Sequence, residues 1–220
     1  MSNYKLIILD FDGTLCATHE VVLFCIKRAY KTLSLILPDY DVVDKTIRAG
    51  LGTEKTLRVL SPELSHMEIQ HLLDNYEAIY LAEGEQKSAL FSKVDEVLVK
   101  LYSAGFILTV VSNKPVFALD AALERFQLKQ YIAMVIGDTK TLRKKPDPMA
   151  YIDFIKPKFK EVDPQEILMI GDTSVDLLFA QNIGASSCWA EYGFGDKKTC
   201  RALNPTYTIK NLTDVLSILS

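Results

Sequence analysis

Near the amino terminus the chain reads KLIILDFDGTL, an apolar run that ends on Asp10 and Asp12 with one residue between them. Aspartate is poorly suited to strands, and neighbouring carboxylates repel each other in a partly dry site. If the extended conformation continues, residues two apart point to the same side, so both carboxylates enter one volume. Turn formation ahead of Gly13 accounts for a single Asp-Gly and poorly for such a pair. Three further segments carry matching chemistry: SNK (Ser112 to Lys114), KKPDP (Lys144 to Pro148) and GDTSVD (Gly171 to Asp176). In the last of these, Thr173 and Asp176 fit a helix capping box as well as they fit a ligand role, whereas the turn has no structural need of Asp172. Singly, Ser112 and Asn113 fit helix capping and the lysine pair fits a solvated face. The signal lies in their conjunction.

Four carboxylates in one pocket, from Asp10, Asp12, Asp172 and Asp176, are untenable unless a cation intervenes or protons stay bound. A hard divalent ion resolves this. Mg²⁺ takes oxygen ligands, keeps several waters and sits between one or two carboxylates and a substrate phosphate. Lys145 adds a further positive charge, and the Ser112 hydroxyl and Asn113 amide add donors, a set better matched to a tetrahedral oxyanion than to a carbonyl. One aspartate can then attack phosphorus while the other manages the proton.

The elements that must position these groups follow from the apolar pattern. Runs at Lys5 to Leu9, Phe106 to Val111, Ile132 to Ile136 and Ile167 to Ile170 read as buried strands of a parallel sheet, each with a polar segment at its carboxyl end. That is where open parallel sheets bind ligands. Helical stretches separate them at Val94 to Ser103, Val116 to Phe126 and Val175 to Ile183, the last stopped by Gly184. The alternation predicts an α/β fold, a doubly wound Rossmann-like core. The span from Leu9 to Phe106 far exceeds one βαβ unit. Within it, Thr18 to Leu35, Asp41 to Arg48, Thr53 to Leu60 and Ser65 to Leu81 carry apolar residues at helical spacing. The expected organisation is therefore a core of residues 1–15 and 87–220 with a helical bundle, residues 16–86, inserted after the first strand.

With 49% hydrophobic residues in 220, the chain can bury a substantial core. A net charge of −3 gives no broad basic field for nucleic acid or an anionic membrane. No apolar run reaches membrane-spanning length and MSNYKLIILD lacks a signal-peptide core, so a cytoplasmic protein is expected. Cys16, Cys25, Cys188 and Cys200 show no metal-ligand spacing and read as free thiols.

Taken together, the four segments resemble the signature motifs of the haloacid dehalogenase superfamily of phosphohydrolases: DFDGTL first, Ser112 second, Lys145 of KKPDP third and GDTSVD fourth. The insert is similar to the cap domain of the phosphoglycolate phosphatase-like and β-phosphoglucomutase-like members. The resemblance implies Asp10 as nucleophile, forming an aspartyl-phosphate, and Asp12 as acid toward the leaving oxygen and then base toward water. It implies Ser112 and Lys145 holding the phosphoryl group with Thr14 and Asn113 beside it, and Mg²⁺ held by Asp10, the backbone carbonyl of Asp12 and Asp172, with Asp176 in support. Lys145, not Lys144, precedes the proline as that motif requires. Asp12 favours a phosphatase or phosphomutase over a dehalogenase. Ala17 and Thr18 depart from the family's Asp-Ser at this point, though Thr18 can still cap the first insert helix.

The insert loop RAGLGTEKT (Arg48 to Thr56) occupies the position expected to set specificity, with Arg48 and Lys55 placed to meet a second anionic group; it fits equally an ordinary turn with solvated charges. His19, His66 and His71 read as surface or packing residues, and Glu191 to Gly195 reads either as a pocket wall or as a turn. The expected activity is Mg²⁺-dependent hydrolysis of a small soluble phosphate monoester by a monomer or homodimer. A phosphomutase, a pyrophosphatase or nucleotidase with the same nucleophile, and a non-catalytic phosphate-binding module are the alternatives.

Overall fold

The computed structural model describes residues 3–139 and 141–220. In chain order its strands are β1 (Leu6–Leu9), β2 (Cys16–Ala17), β3 (Ala89–Leu90), β4 (Ile107–Pro115), β5 (Met134–Asp138), β6 (Ile167–Gly171), β7 (Ser186–Ala190) and β8 (Tyr207–Ile209). Its α-helices are α1 (His19–Thr32), α2 (Tyr40–Arg48), α3 (Thr53–Leu60), α4 (His66–Ile79), α5 (Val94–Ser103), α6 (Val116–Arg125), α7 (Lys156–Lys158), α8 (Ser174–Ile183), α9 (Lys197–Ala202) and α10 (Val215–Leu219). Six strands form one parallel sheet in the order β5-β4-β1-β6-β7-β8, the expected α/β architecture.

The sheet exists because its central strands are apolar on both faces. All four residues of β1 are fully buried: Ile7 and Leu9 pack with Leu98, Leu119 and Val215 on one face, while Leu6 and Ile8 pack with Tyr151, Ile155 and Phe179 on the other. Complete burial of such a side chain is worth about 1.5–3 kcal/mol, so a one-residue slip that exchanged the faces is strongly opposed. The register Leu9↔Val110 and Leu9↔Ile170 aligns the carboxyl ends of β4, β1 and β6 side by side. Whatever follows those strands shares one rim.

The strand expected from Ile132 starts at Met134, because Lys129–Tyr131 winds into a 3₁₀ turn first. Strand β4 runs past Val111 to Pro115 with a register shift, so Ser112, Asn113 and Lys114 stand on an irregular strand end and not in a loop. The four insert helices form where expected, and α4 gives way to a π-helical turn over Tyr80–Gly84. These helices bury a cluster of their own, including Ile26, Tyr30, Leu57, Leu72 and Tyr76, joined from the core by Ala118 of α6. The chain leaves and re-enters the core through β2 and β3, paired antiparallel as Cys16↔Leu90 and Ala17↔Ala89. Thr18 does occupy the position ahead of α1, but its side chain makes no capping bond. Among the described residues no helix is long and apolar enough to cross a membrane.

Candidate active site

Asp10 follows β1 directly and its N–H donates to the Ile170 carbonyl at 2.9 Å, which continues the sheet edge by one residue. Phe11 turns into the core with no exposure, so Asp10 and Asp12 both face a cavity of about 120 Å³ between the sheet edge and the helical insert. The chain then reverses: the N–H groups of Leu15 and Cys16 both donate to the Phe11 carbonyl. Gly13 sits in this turn at φ +81°, and a Cβ there would overlap the Asp172 carboxylate. Glycine is required for both reasons.

Beyond β6, Asp172 and Asp176 approach from the other side. One Asp172 oxygen accepts from the Phe194 N–H at 2.7 Å and the other from the Thr14 hydroxyl at 3.4 Å. Asp176 caps a helix and also faces the site. Its Oδ2 caps α8, accepting from the Thr173 N–H at 3.0 Å and hydroxyl at 2.9 Å. Its Oδ1 accepts from Lys145 Nζ at 2.5 Å, and the same ammonium reaches Asp10 Oδ1 at 2.8 Å. Asp10, Asp172 and Asp176 each place a carboxylate oxygen within 4.8 Å of the others.

Three buried carboxylates against one ammonium leave an excess of negative charge. Burial pushes Asp10 up to about 7; Lys145 opposes the rise, while Asp176 and Asp12 add to it. Asp172 is raised well above the usual carboxylate range, by burial first and then by Asp176 and Asp10. Burial works against the charge on Lys145, but Asp10 and Asp176 outweigh it and hold the ammonium above its ordinary range. An all-oxygen, electron-rich, desolvated donor set fits a hard divalent cation and little else. The Asp12 side chain is not part of this cluster. It faces Lys114, whose Nζ lies 3.3 Å from Asp12 Oδ1 and 4.3 Å from the centre of the Tyr80 ring.

Ser112, Asn113 and Lys145 line the cavity as expected. The Asn113 amide donates to the carbonyls of Gly50 and Lys145, both at 3.1 Å, and so ties the insert loop to the KKPDP segment. Lys144 lies apart, paired with Asp138 at 2.7 Å. Three expected substrate contacts need correction. Thr14 is fully buried behind Asp172 and does not line the cavity. Arg48 is drawn off by Asp44 at 2.6 Å and by the Phe194 carbonyl at 3.0 Å, so it joins the insert to the core instead of meeting a ligand. Lys55 is exposed on α3, outside the cavity lining.

The insert loop nevertheless faces the core: Gly50 and Gly52 line the cavity at positive φ, and a Cβ on Gly50 would lie 2.9 Å from Thr173 Oγ1. His66 and His71 are exposed, whereas His19 is buried against Phe194 and bonds Asp44 at 2.7 Å. Phe194 walls the cavity, as one of the two readings of its loop expected. Lys114 received no role from the sequence; its spacing of two from Ser112 on an extended strand was the available signal.

The family model for haloacid dehalogenase-like hydrolases matches residues 7–190. A phosphoglycolate phosphatase of Vibrio vulnificus is 28% identical over 221 residues, covering 98% of this chain and 96% of that protein. The Vibrio cholerae phosphoglycolate phosphatase is 29% identical over 228 residues, covering 100% and 98%. Among solved structures, a predicted phosphoglycolate phosphatase from Haemophilus somnus superposes with a TM-score of 0.87 at 25% identity, each chain covered completely. The fold, the four motif segments at one sheet edge and the family match agree, and the chain belongs to the haloacid dehalogenase-like hydrolases and is an enzyme.

Proposed function

We propose that this enzyme is a Mg²⁺-dependent phosphatase acting on a small phosphate monoester of the phosphoglycolate kind, through a phosphorylated Asp10. The observation that carries the reading is the division of labour around the cavity: Asp10 is held by Lys145 next to Asp172 and Asp176, while Asp12 stands apart on Lys114. The similarity to proteins named phosphoglycolate phosphatase supports the same reading.

Lys145 fixes Asp10 through Oδ1, which leaves Oδ2 to attack phosphorus. As the Asp10–phosphorus bond forms, the ester oxygen departs and takes a proton from Asp12. Asp12 then removes a proton from water, the resulting hydroxide attacks phosphorus, and inorganic phosphate leaves with Asp10 restored. Lys145 and the Ser112 hydroxyl are the donors for the phosphoryl oxygens. Asp10, Asp172 and Asp176 would hold Mg²⁺, with the Asp12 carbonyl beside them; when bound, the ion neutralises charge on the nucleophile and the phosphoryl oxygens. The helical insert, residues 16–86, acts as a cap over the core of residues 1–15 and 87–220, excluding bulk water during the first transfer.

The test is a panel of phosphoesters, including phosphoglycolate, sugar phosphates, nucleotides and pyrophosphate, assayed with and without Mg²⁺. Hydrolysis that requires Mg²⁺ and vanishes in Asp10→Asn is expected. Full activity in Asp10→Asn refutes the nucleophile, and phosphoryl transfer to a sugar hydroxyl in place of water identifies a mutase.

A further inference from the structure

One side of the cavity carries polar groups that the hydrolytic steps leave unused. The Thr18 hydroxyl and His19 Nδ1 are buried without a hydrogen-bond partner, Thr18 at 1% and His19 at 5% exposure, and both residues line the cavity. Such groups cost free energy when left unmade, and with the Tyr80 hydroxyl three of them line one cavity, which points to a ligand that completes them. His19 spends Nε2 on Asp44 at 2.7 Å, which fixes the ring and directs Nδ1 to the remaining role. The same cavity is lined by Lys114, buried, with Asp12 as its carboxylate partner at 3.3 and 3.4 Å and the Tyr80 ring beneath it at 4.3 Å.

These groups sit where the leaving alcohol must sit. Asp12 delivers its proton to the ester oxygen, so an ammonium 3.3 Å from that carboxylate is within reach of a substituent one or two carbons from the ester. Thr18 lines the same cavity as Asp12 and Lys114.

Resting on the phosphatase reading and extending it, we propose that Lys114, Thr18 and His19 form a leaving-group subsite that selects monoesters whose alcohol carries a carboxylate next to the ester carbon. The ammonium and the hydroxyl donate to the carboxylate, while the His19 ring, held through Nε2 by Asp44, turns its unpartnered Nδ1 to the same subsite. The selecting charge therefore comes from the strand end that also carries Ser112, and not from Arg48 or Lys55 of the insert loop.

The experiment uses three esters of equal length that differ in charge: phosphoglycolate, 2-hydroxyethyl phosphate and 2-aminoethyl phosphate. The kcat/KM of the wild-type enzyme should fall in that order, by roughly tenfold to a hundredfold between the first two, the range for hydrogen bonds to charged groups. In Lys114→Met that ratio should approach one, whatever the absolute rates become through contact with Asp12. Thr18→Val, which removes no side-chain bond within the protein, should lower the ratio several-fold. A wild-type enzyme that hydrolyses all three equally overturns the subsite alone, as does a Lys114→Met enzyme slowed by the same factor on every ester, since that is the mark of a residue that only positions Asp12. Absence of hydrolysis of any ester in the presence of Mg²⁺ overturns the phosphatase reading itself. The wild-type series and Thr18→Val decide the matter should Lys114→Met fail to fold.

Discussion

Replacing Asp10 with asparagine should abolish turnover and, at pH 8 without divalent metal, stabilise the fold. A carboxyl raised from 3.8 to about 7 by burial is more comfortable protonated, so its contribution to stability is intact below about pH 4 and lost as pH rises through 7. At about 1.4 kcal/mol per pH unit the loss has a ceiling of about 4 kcal/mol. Asparagine escapes it but deprives Lys145 of one anionic partner, leaving Asp176 at 2.5 Å as the other. A net gain of about 2–3 kcal/mol remains, or roughly 4–12 °C in Tm for a chain of this size. Thermal unfolding of the two proteins in EDTA across pH 4 to 8 is the assay. The difference should be absent near pH 4, grow between 4 and 7, and shrink at pH 8 when Mg²⁺ is added, because the ion offsets the charge only in the wild-type enzyme. A variant no more stable than wild type at pH 8, or a gain independent of pH and Mg²⁺, would refute the view that Asp10 is a destabilised, metal-requiring carboxylate.

Gly13→Ala should be inactive and destabilised by about 1–3 kcal/mol in urea unfolding, since the new Cβ meets both a positive φ and the Asp172 carboxylate; a fully active alanine variant would contradict the packing described. Lys145→Met should destabilise by about 3–5 kcal/mol at pH 8 by stranding Asp10 and Asp176, with the deficit narrowing toward pH 5 as Asp10 takes up a proton; equal deficits at both pH values would argue against the buried ion pair. The single tryptophan, Trp189, donates from Nε1 to the Asp172 carbonyl at 3.0 Å, so its fluorescence should change saturably with Mg²⁺ in wild type and not in Asp172→Asn. All four cysteines are buried, with Cys16, Cys188 and Cys200 pushed up to about 12 and Cys25 to about 11, chiefly by burial; a thiol reagent at pH 8 should label none of them in minutes on the native protein and four after denaturation.

The site was legible in the sequence wherever chemistry and local pattern coincide. Asp10, Asp12 and Asp172 stand out because a carboxylate just past an apolar run contradicts its surroundings, and Lys145 and Asp176 join them only through the conjunction of segments that fall at the same sheet edge. What stayed hidden depends on contacts between segments far apart in the chain. Lys114 has no role legible in the sequence until Tyr80, thirty-four residues earlier, is laid beneath it. Arg48 looks free for a ligand until Asp44 and the Phe194 carbonyl take its donors, and Thr18 looks like a cap until its hydroxyl is found unbonded in the cavity. Strand β8 is only three residues long, too short for a period of two to declare itself. These cases share a cause: the sheet edge is specified by its own apolar runs, whereas the face laid over it is specified by how the insert meets the core. The proposed catalytic groups therefore read directly from local sequence, while groups that would choose a substrate become visible only once the two surfaces are brought together, which is why the unpartnered Thr18 hydroxyl and His19 Nδ1 beside the Asp12-bound Lys114, and not the charges of the insert loop, mark where selectivity should be sought.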